Sequence, residues 1–503
     1  MNQHAKIDGK TAMQSAEGLF DAFRREMTED LTSGRLADRI IGKNLVIEGP
    51  FGPKRMIYAD YAASGRALRP VEDFVLEHVL PVYANPHTQA SYCGRAINAL
   101  RKVARREIAH YCNAGDAHAV IFTGSGATSG INRLVSLFGA DQTAADGKRP
   151  LVILGPYEHH SNILPWRECG AEVTELAEAP DGGPDLAVLE QVLACSTGRK
   201  VVCAFSAGSN VTGALTDVLA VTQIANRHGA RIVWDYAGAG PYLPMTMHPA
   251  HDAEIDALVF SPHKFVGGPG SSGILIVRRD AVERERPSLP GGGTVSFVSP
   301  ETHDYSTSIE AREEAGTPNV IADIRAALAV IVRDCMAQAR LDDHSDQLVR
   351  CALDAWRANP RVEVLGRDHG ACLPIISFRV RDGSGELVHH QLFTRLLSDR
   401  YGIQARGGCA CAGPYVHRLL GIGAQESGEM RQAILSGEEV EKPGFVRLNF
   451  SGLMSDEEAG VAINAVNDLA NEIECVAAGY CCDPSTAIFS PDPRAPIRSV
   501  AVL

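Results

Sequence analysis

Lys264 stands in the run Ser261-Pro262-His263-Lys264, after the apolar stretch Ile255–Phe260 and just before Gly267-Gly268-Pro269-Gly270. A lysine that closes a buried strand is poorly placed for a solvated charge and well placed to hold an aldehyde cofactor as a Schiff base. Desolvation and neighbouring positive charge lower a lysine pKa and free its amine as a nucleophile. The plain alternative is a stem lying on apolar surface with its head in water. Asp235 follows the apolar run Arg231–Trp234, 29 residues before Lys264, a spacing that suits one strand–helix–strand unit. A carboxylate there keeps a pyridine nitrogen protonated, so that the ring accepts carbanion electrons. An isolated strand-end Asp otherwise caps a loop.

Three further runs could contribute. Thr123-Gly124-Ser125-Gly126-Ala127-Thr128-Ser129 follows a short apolar run and precedes a helix expected over Gly130–Phe138. Small residues let backbone N–H groups close on an anion, and the helix dipole favours a phosphate there; an ordinary capped turn is the competing reading. The G-x-G-x-x-G spacing of a dinucleotide site is absent. Glu158-His159-His160-Ser161-Asn162 offers an imidazole to stack on an aromatic cofactor or move protons. Adjacent histidines point in different directions and no carboxylate–histidine spacing supports them, so no metal is expected. Finally, Cys409 and Cys411 lie in Arg406-Gly407-Gly408-Cys409-Ala410-Cys411-Ala412. Arg406 and exposed backbone N–H groups would lower a thiol pKa there. The pair could relay a persulfide, bind metal or serve structure, and Cys411 could be a small buried residue.

The elements that must hold these residues alternate strand and helix. Ala119–Phe122, Leu151–Leu154, Val201–Phe205, Arg231–Trp234, Ala257–Phe260 and Gly273–Val277 read as strands; Asp185–Ala194 and Asp217–His228 read as helices. That order predicts an α/β fold, a mostly parallel sheet covered by helices. Ligands of such sheets bind beyond the carboxyl ends of strands, where nearly all the unusual residues fall. Three parts are expected: a helical extension over residues 1–50, a large domain over 51–330, and a small α+β domain over 331–503. In the extension Phe20, Phe23, Met27 and Leu31 recur at helical spacing, so one face packs on the body. The small domain should hold a long helix Ile321–Trp356, strands Arg361–Leu365 and Pro374–Val380, and a helix Val388–Tyr401. A polar insert, helical or mobile, covers 423–443, and little regular structure is expected beyond about 480.

Composition narrows the function. At 503 residues, 45% hydrophobic and 22% charged, the chain reads as a soluble two-domain enzyme. A formal net charge of −13 argues against nucleic acid or an anionic membrane as partner. No apolar run is long enough to span a bilayer, and the opening MNQHAKIDGKTAMQ lacks a secretory apolar core, so export is not expected. Thirteen irregularly spaced cysteines suit a reducing, cytoplasmic compartment.

Taken in chain order, the Glu158–Asn162 run, Ser209-Asn210-Val211-Thr212-Gly213, Asp235, Ser261, His263, Lys264 and the Arg406–Ala412 run resemble the pyridoxal-phosphate enzymes of the class V aminotransferase and cysteine desulfurase family. The resemblance covers residues 57 to 470 and leaves out the first 50 residues, the insert and the tail. It implies the fold-type I architecture and pyridoxal 5′-phosphate held on Lys264, which later carries the proton at Cα. Asp235 would pair with the pyridine nitrogen and His159 would lie over the ring. Gly126, Ala127 and Thr128, with Ser261 and His263, would hold the phosphate. Asn210 would stand near the phenolic oxygen and substrate, and Arg447, with Arg406 as a second candidate, would bind the substrate carboxylate. Gly292, Gly293 and Thr294 resemble a loop that reaches a partner subunit's phosphate, which implies a homodimer. Asn85-Pro86-His87 and Ala62-Ala63 resemble substrate-side segments. Cys411 matches the sulfur-accepting cysteine, so desulfuration of a small amino acid, cysteine, is the expected reaction, with a sulfur-acceptor protein as possible partner. A C–S or selenocysteine lyase and a class V aminotransferase use the same lysine, aspartate and arginine; a non-catalytic protein of this fold is the remaining alternative. One departure is Gly238, where desulfurases usually carry glutamine. Tyr236 or water would have to supply that hydrogen bond.

Overall fold

The computed structural model describes residues 9–366 and 370–494. The chain divides into two compact units. The first comprises residues 1–41, 64–207 and 216–339, and the second comprises 42–63, 208–215 and 340–503. Residues 51–63 and 208–215, which an uninterrupted large domain over 51–330 would contain, thus cluster with the C-terminal part of the chain, as do residues 42–50 of the expected extension.

The first unit is built on a seven-stranded sheet. Its strands are β1 (His118–Gly124), β2 (Leu151–Leu154), β3 (Glu172–Glu175), β4 (Val201–Ser206), β5 (Arg231–Asp235), β6 (Ala257–Phe260) and β7 (Gly273–Arg278), in spatial order β1-β7-β6-β5-β4-β2-β3. All neighbours are parallel except β7, which runs antiparallel to both β1 and β6. β2, β4 and β6 are buried at every position and read as continuous apolar runs, as strands covered on both faces must. β3 was not visible as a strand in the sequence. Glu-Val-Thr-Glu carries two carboxylates, and an edge position leaves Glu172 exposed and Glu175 half-buried.

Helices cap as their sequences dictate. Asp185 and Asp217 lie just outside the helices Leu186–Ala194 and Val218–Arg227, where their carboxylates accept backbone N–H bonds. Helix α1 (Gly9–Thr32) packs on α2 (Tyr92–Tyr111) and α3 (Val320–Gln338) through buried Phe20, Phe23 and Met27. Leu31, expected on that face, is only half-buried. The long helix expected over Ile321–Trp356 is two helices, α3 and α4 (Leu341–Arg357). Arg340 between them adopts φ +58°, a left-handed turn that glycine usually marks and arginine conceals.

The second unit holds an antiparallel sheet of β8 (Val362–Val364), β9 (Ile375–Val380), β10 (Arg406–Gly408) and β11 (Phe445–Asn449), ordered β8-β9-β11-β10. Trp356, Phe378, Phe393 and Phe450 form its core with the helix Asp456–Ala477, and the Trp356 indole donates to the Ile463 carbonyl at 3.0 Å. The insert carries a helix, Ala424–Leu435, with no buried residue. The described part of the tail corrects the expectation of irregular structure: Tyr480–Asp483 pairs with Ile488–Pro491 as a hairpin, while residues 495–503 lie outside the described residues. Pro484 and Ser485 lie in its turn, where Asp483 accepts from the Ser485 N–H at 3.0 Å. Among the described residues, no helix is long and apolar enough to cross a membrane.

Candidate active site

In the first unit the candidate residues gather beyond the carboxyl ends of β1, β2, β5 and β6. The chain leaves β6 into a single turn, Pro262–Lys264, in which Lys264 N–H bonds the Ser261 carbonyl at 3.0 Å. The glycines that follow allow this turn to fold back: a Cβ on Gly268 would lie 1.8 Å from the Pro262 carbonyl oxygen. Lys264 is therefore displayed at a strand end by backbone that no larger residue at 268 could follow.

Asp235 closes β5 with 4% of its surface exposed. Burial pushes its carboxyl up from the usual range, while the Ala237 N–H, at 2.8 Å, and the positive charge of Lys264 pull it down. The lysine and aspartate therefore act on one another electrostatically. A buried carboxylate in this state gains from a cationic partner such as a protonated ring nitrogen.

The turn after β1 forms a tight cradle of small residues. Gly126 has φ +60°, and a Cβ on it would lie 2.9 Å from the Ser261 hydroxyl oxygen and 3.1 Å from His263 Cε1. Ala127 N–H donates to the Ser261 hydroxyl at 2.9 Å. Helix α5 starts at Gly126 and runs to Leu137, four residues earlier than the expected Gly130, because a left-handed glycine opens the turn directly into it. Burial, then Lys264, pushes His263 down to about 4, so at neutral pH its ring is an uncharged hydrogen-bonding group.

His159 is tied to this cradle through Ser161. The His159 Nδ1 accepts from the Ser161 N–H at 3.1 Å, which sets the neutral ring's proton on Nε2. The Ser161 hydroxyl lies 3.0 Å from that nitrogen and 2.7 Å from the Thr128 hydroxyl. Beneath them lies Glu158, 3% exposed. It accepts from Ser206 N–H at 2.8 Å, the Ser206 hydroxyl at 2.7 Å and the Asn162 amide at 2.5 Å. Burial pushes it up to about 7; those three bonds oppose the shift and the Asp235 charge adds to it. The sequence quoted Glu158 and Ser161 in a run without distinguishing them.

Other candidates in this unit have less direct settings. Thr294 is fully buried and its hydroxyl donates to the Gly291 carbonyl at 2.7 Å. His87 Cε1 lies 3.1 Å from where a Gly293 Cβ would be, so the Asn85–His87 segment and the Gly292–Thr294 loop meet. Tyr236 is buried, and burial together with the Cys112 thiol pushes its phenol up.

The second unit carries the remaining candidates. Arg447, on β11 and 3% exposed, donates from Nη1 to the Asn210 carbonyl at 2.9 Å and from Nη2 to Asp60 at 3.0 Å. Arg406 faces Arg447 across the β10–β11 ladder, and its Nε pairs with the other Asp60 oxygen at 3.0 Å. Arg406, expected to act on the Cys411 thiol, thus has Asp60 as its counter-charge. Asp60, which the sequence reading did not single out, thus holds both candidate carboxylate binders. Its signal was a carboxylate between the strand Ile57–Tyr58 and Ala62-Ala63.

Cys411 is exposed and Cys409 half-buried. Ala410 and Cys411 have φ +51° and +54°, and Gly408 has +130°. Two consecutive non-glycine residues in the left-handed region are costly, about 1 kcal/mol or more each. The Asn210 side-chain amide secures this conformation by donating to the Ala410 carbonyl at 2.8 Å. Asn210 itself is fixed by the turn in which Ser209 accepts from Val211 and Thr212 N–H, and by the Ser377 hydroxyl on the Val211 carbonyl at 2.6 Å.

An amine at a strand end, a buried carboxyl that feels it and a turn of small residues thus gather at one edge of an α/β sheet. The family model for aminotransferase class-V matches residues 57–458, and the chain belongs to that family of enzymes. A cysteine desulfurase of Klebsiella pneumoniae is 29% identical over 372 residues, covering 72% of this chain and 86% of the relative. One from Serratia proteamaculans is 30% identical over 366 residues, covering 71% and 85%. Among solved structures, a cysteine desulfurase of Escherichia coli aligns with a TM-score of 0.65 at 25% identity, covering 83% of this chain and 94% of that one. The apo cysteine desulfurase of Thermococcus onnurineus gives 0.67 at 24%, covering 82% and 94%, a likeness of fold.

Proposed function

We propose that the protein binds pyridoxal 5′-phosphate and cleaves the C–S bond of cysteine, passing the sulfur to Cys411 and releasing alanine. The observation that carries the cofactor assignment is the buried Asp235 carboxyl under the influence of Lys264, beside a cradle that a single Cβ at Gly126 would fill. The donor set fits the group: Ser261, His263, Thr128 and the N–H groups opening helix α5 for the phosphate, Asp235 for the ring nitrogen, and Lys264 for the aldehyde.

When bound, the cofactor supplies an aldehyde that captures amines and a ring that accepts electrons from the substrate Cα. Asp235 keeps the ring nitrogen protonated. Lys264 moves the proton at Cα. Arg447 binds the substrate carboxylate with its planar fork. The Cys411 thiolate attacks the substrate sulfur: the S–S bond forms, the C–S bond breaks, and the carbon left behind takes up a proton. Alanine and a Cys411 persulfide result. The reading rests on Cys411 being exposed and on relatives that are cysteine desulfurases.

A homodimer in the cytoplasm, handing sulfur to an acceptor protein, completes the reading. For Thr294 to reach the partner subunit's phosphate, its hydroxyl must exchange the bond to Gly291. Gly238 favours a second reading, elimination to pyruvate, ammonia and sulfide, because the side chain usual in desulfurases is missing there. The test loads the protein with pyridoxal phosphate, adds L-cysteine and quantifies alanine, pyruvate and protein persulfide separately. Alanine with persulfide on Cys411 is expected; pyruvate with sulfide would move the assignment to elimination. A protein that stays colourless with added cofactor, or a Lys264→Ala variant with an unchanged visible band, would sink the cofactor assignment.

A further inference from the structure

We propose that His118, His248 and Glu254 form a divalent-metal site, fitted to zinc, at the amino-terminal end of β1. One nitrogen from each ring and one carboxylate oxygen lie within 4.8 Å of one another. His118 is 4% exposed, and its Nε2 is buried with no hydrogen-bond partner. A buried polar atom of this kind is costly and calls for an explanation. The two rings lie 5.2 Å apart at 77°, edge to face.

The donor set matches zinc chemistry: two imidazoles and a carboxylate, with the fourth tetrahedral position left to water. Zinc at about 2.0–2.1 Å from each donor sets donor–donor separations of roughly 3.4 Å. The trio therefore has at most about an ångström and a half to close, and exposed His248 and half-exposed Glu254 have room to do so.

The surroundings hold the ligands without blocking them. The Glu254 backbone is pinned by both ends of the Asn226 amide, at 2.8 and 3.1 Å. Its carboxylate pairs with Arg278, whose guanidinium also has Asp256 and Asp280. Arg278 can thus yield Glu254 to a cation and remain paired. The opposing cost is one hydrogen bond. Gly115 N–H donates to His118 Nδ1 at 3.2 Å, so binding at Nε2 moves the ring proton to Nδ1 and gives up that bond.

The site is remote from the phosphate cradle. β1 runs from His118 to Gly124, about 20 Å at the strand rise, and the cradle lies at its far end. Zinc would clamp the start of β1 to the segment leading into β6, a structural role independent of the cofactor assignment.

The experiment uses the cofactor-loaded protein with its cysteines blocked by iodoacetamide, so that thiolates cannot hold metal. After equilibrium dialysis against micromolar zinc, wild type should retain one zinc per chain more than His248→Ala, and Glu254→Gln should bind that zinc at least tenfold more weakly. His248 is exposed, so its variant keeps the fold, which an unchanged visible cofactor band would verify. Equal zinc in wild type and His248→Ala, or none in either, overturns the proposal.

Discussion

The Asp60 carboxylate grips the Arg447 guanidinium at 3.0 Å while Arg447 is 3% exposed. A buried guanidinium without its counter-charge is expensive, and removing one partner of a buried pair costs about 3–5 kcal/mol. Asp60 therefore fixes the fork that is proposed to bind the substrate carboxylate. Asp60→Ala should raise KM for cysteine at least tenfold and lower thermal stability. Arg406→Ala, removing the half-exposed partner, should do much less of both. Steady-state kinetics of the two variants decide it: equal effects would remove Asp60 from the positioning role.

Gly126 is where the cradle has no slack. Alanine there meets both a left-handed φ of +60° and the Ser261 hydroxyl at 2.9 Å. The backbone penalty alone is about 1–2 kcal/mol, so Gly126→Ala should weaken pyridoxal-phosphate binding about tenfold or more. A titration followed by the visible band measures this. The Ser161→Ala variant, which cuts the link between His159 and Thr128, should shift the band's position more than the affinity.

Glu158 gives the first unit a pH signature. Its folded value near 7 lies above the ordinary 4.5, so the folded protein binds more protons than the unfolded chain between those values. Stability from this group is present below about pH 4.5 and is lost as pH rises through 7. The full loss is of the order of 3 kcal/mol. In Glu158→Gln the loss disappears, although the variant pays a fixed cost because its amide N–H faces the Asn162 amide. Thermal midpoints of both proteins from pH 5 to 8 should converge or cross as pH rises. Parallel curves would mean that Glu158 is ionised throughout.

What the sequence made legible followed from local chemistry. Leu151–Leu154 and Ala257–Phe260 match their strands residue for residue, because continuous apolar runs have no other stable place in a covered sheet. Lys264, Asp235 and the Gly126 turn were readable because each sits at such a run's end. Asp60 was not, since its meaning lies in pairing with Arg447 from a distant part of the chain. The break at Arg340 and the left-handed Ala410 and Cys411 were hidden for another reason: residues with a Cβ seldom adopt that region, so only tertiary context reveals it.

That strained pair leads to the last prediction. Cys411 is offered to solvent on a loop whose two left-handed residues are held by the Asn210 amide on the Ala410 carbonyl at 2.8 Å. If Cys411 carries the sulfur, Cys411→Ala should abolish alanine formation from cysteine, by at least about 10²-fold, while the visible cofactor band stays as in wild type. Unchanged alanine production would refute the role. Cys409→Ala should retain alanine formation and alter only how long the persulfide survives, since Cys409 is half-buried two residues away. Asn210→Asp separates positioning from chemistry. A carboxylate cannot donate to the Ala410 carbonyl, so the loop should relax. Persulfide yield on Cys411 should then fall, and thiol alkylation of Cys411 should change rate even without substrate. A variant whose alkylation rate is unaltered would show that the loop keeps its conformation without Asn210.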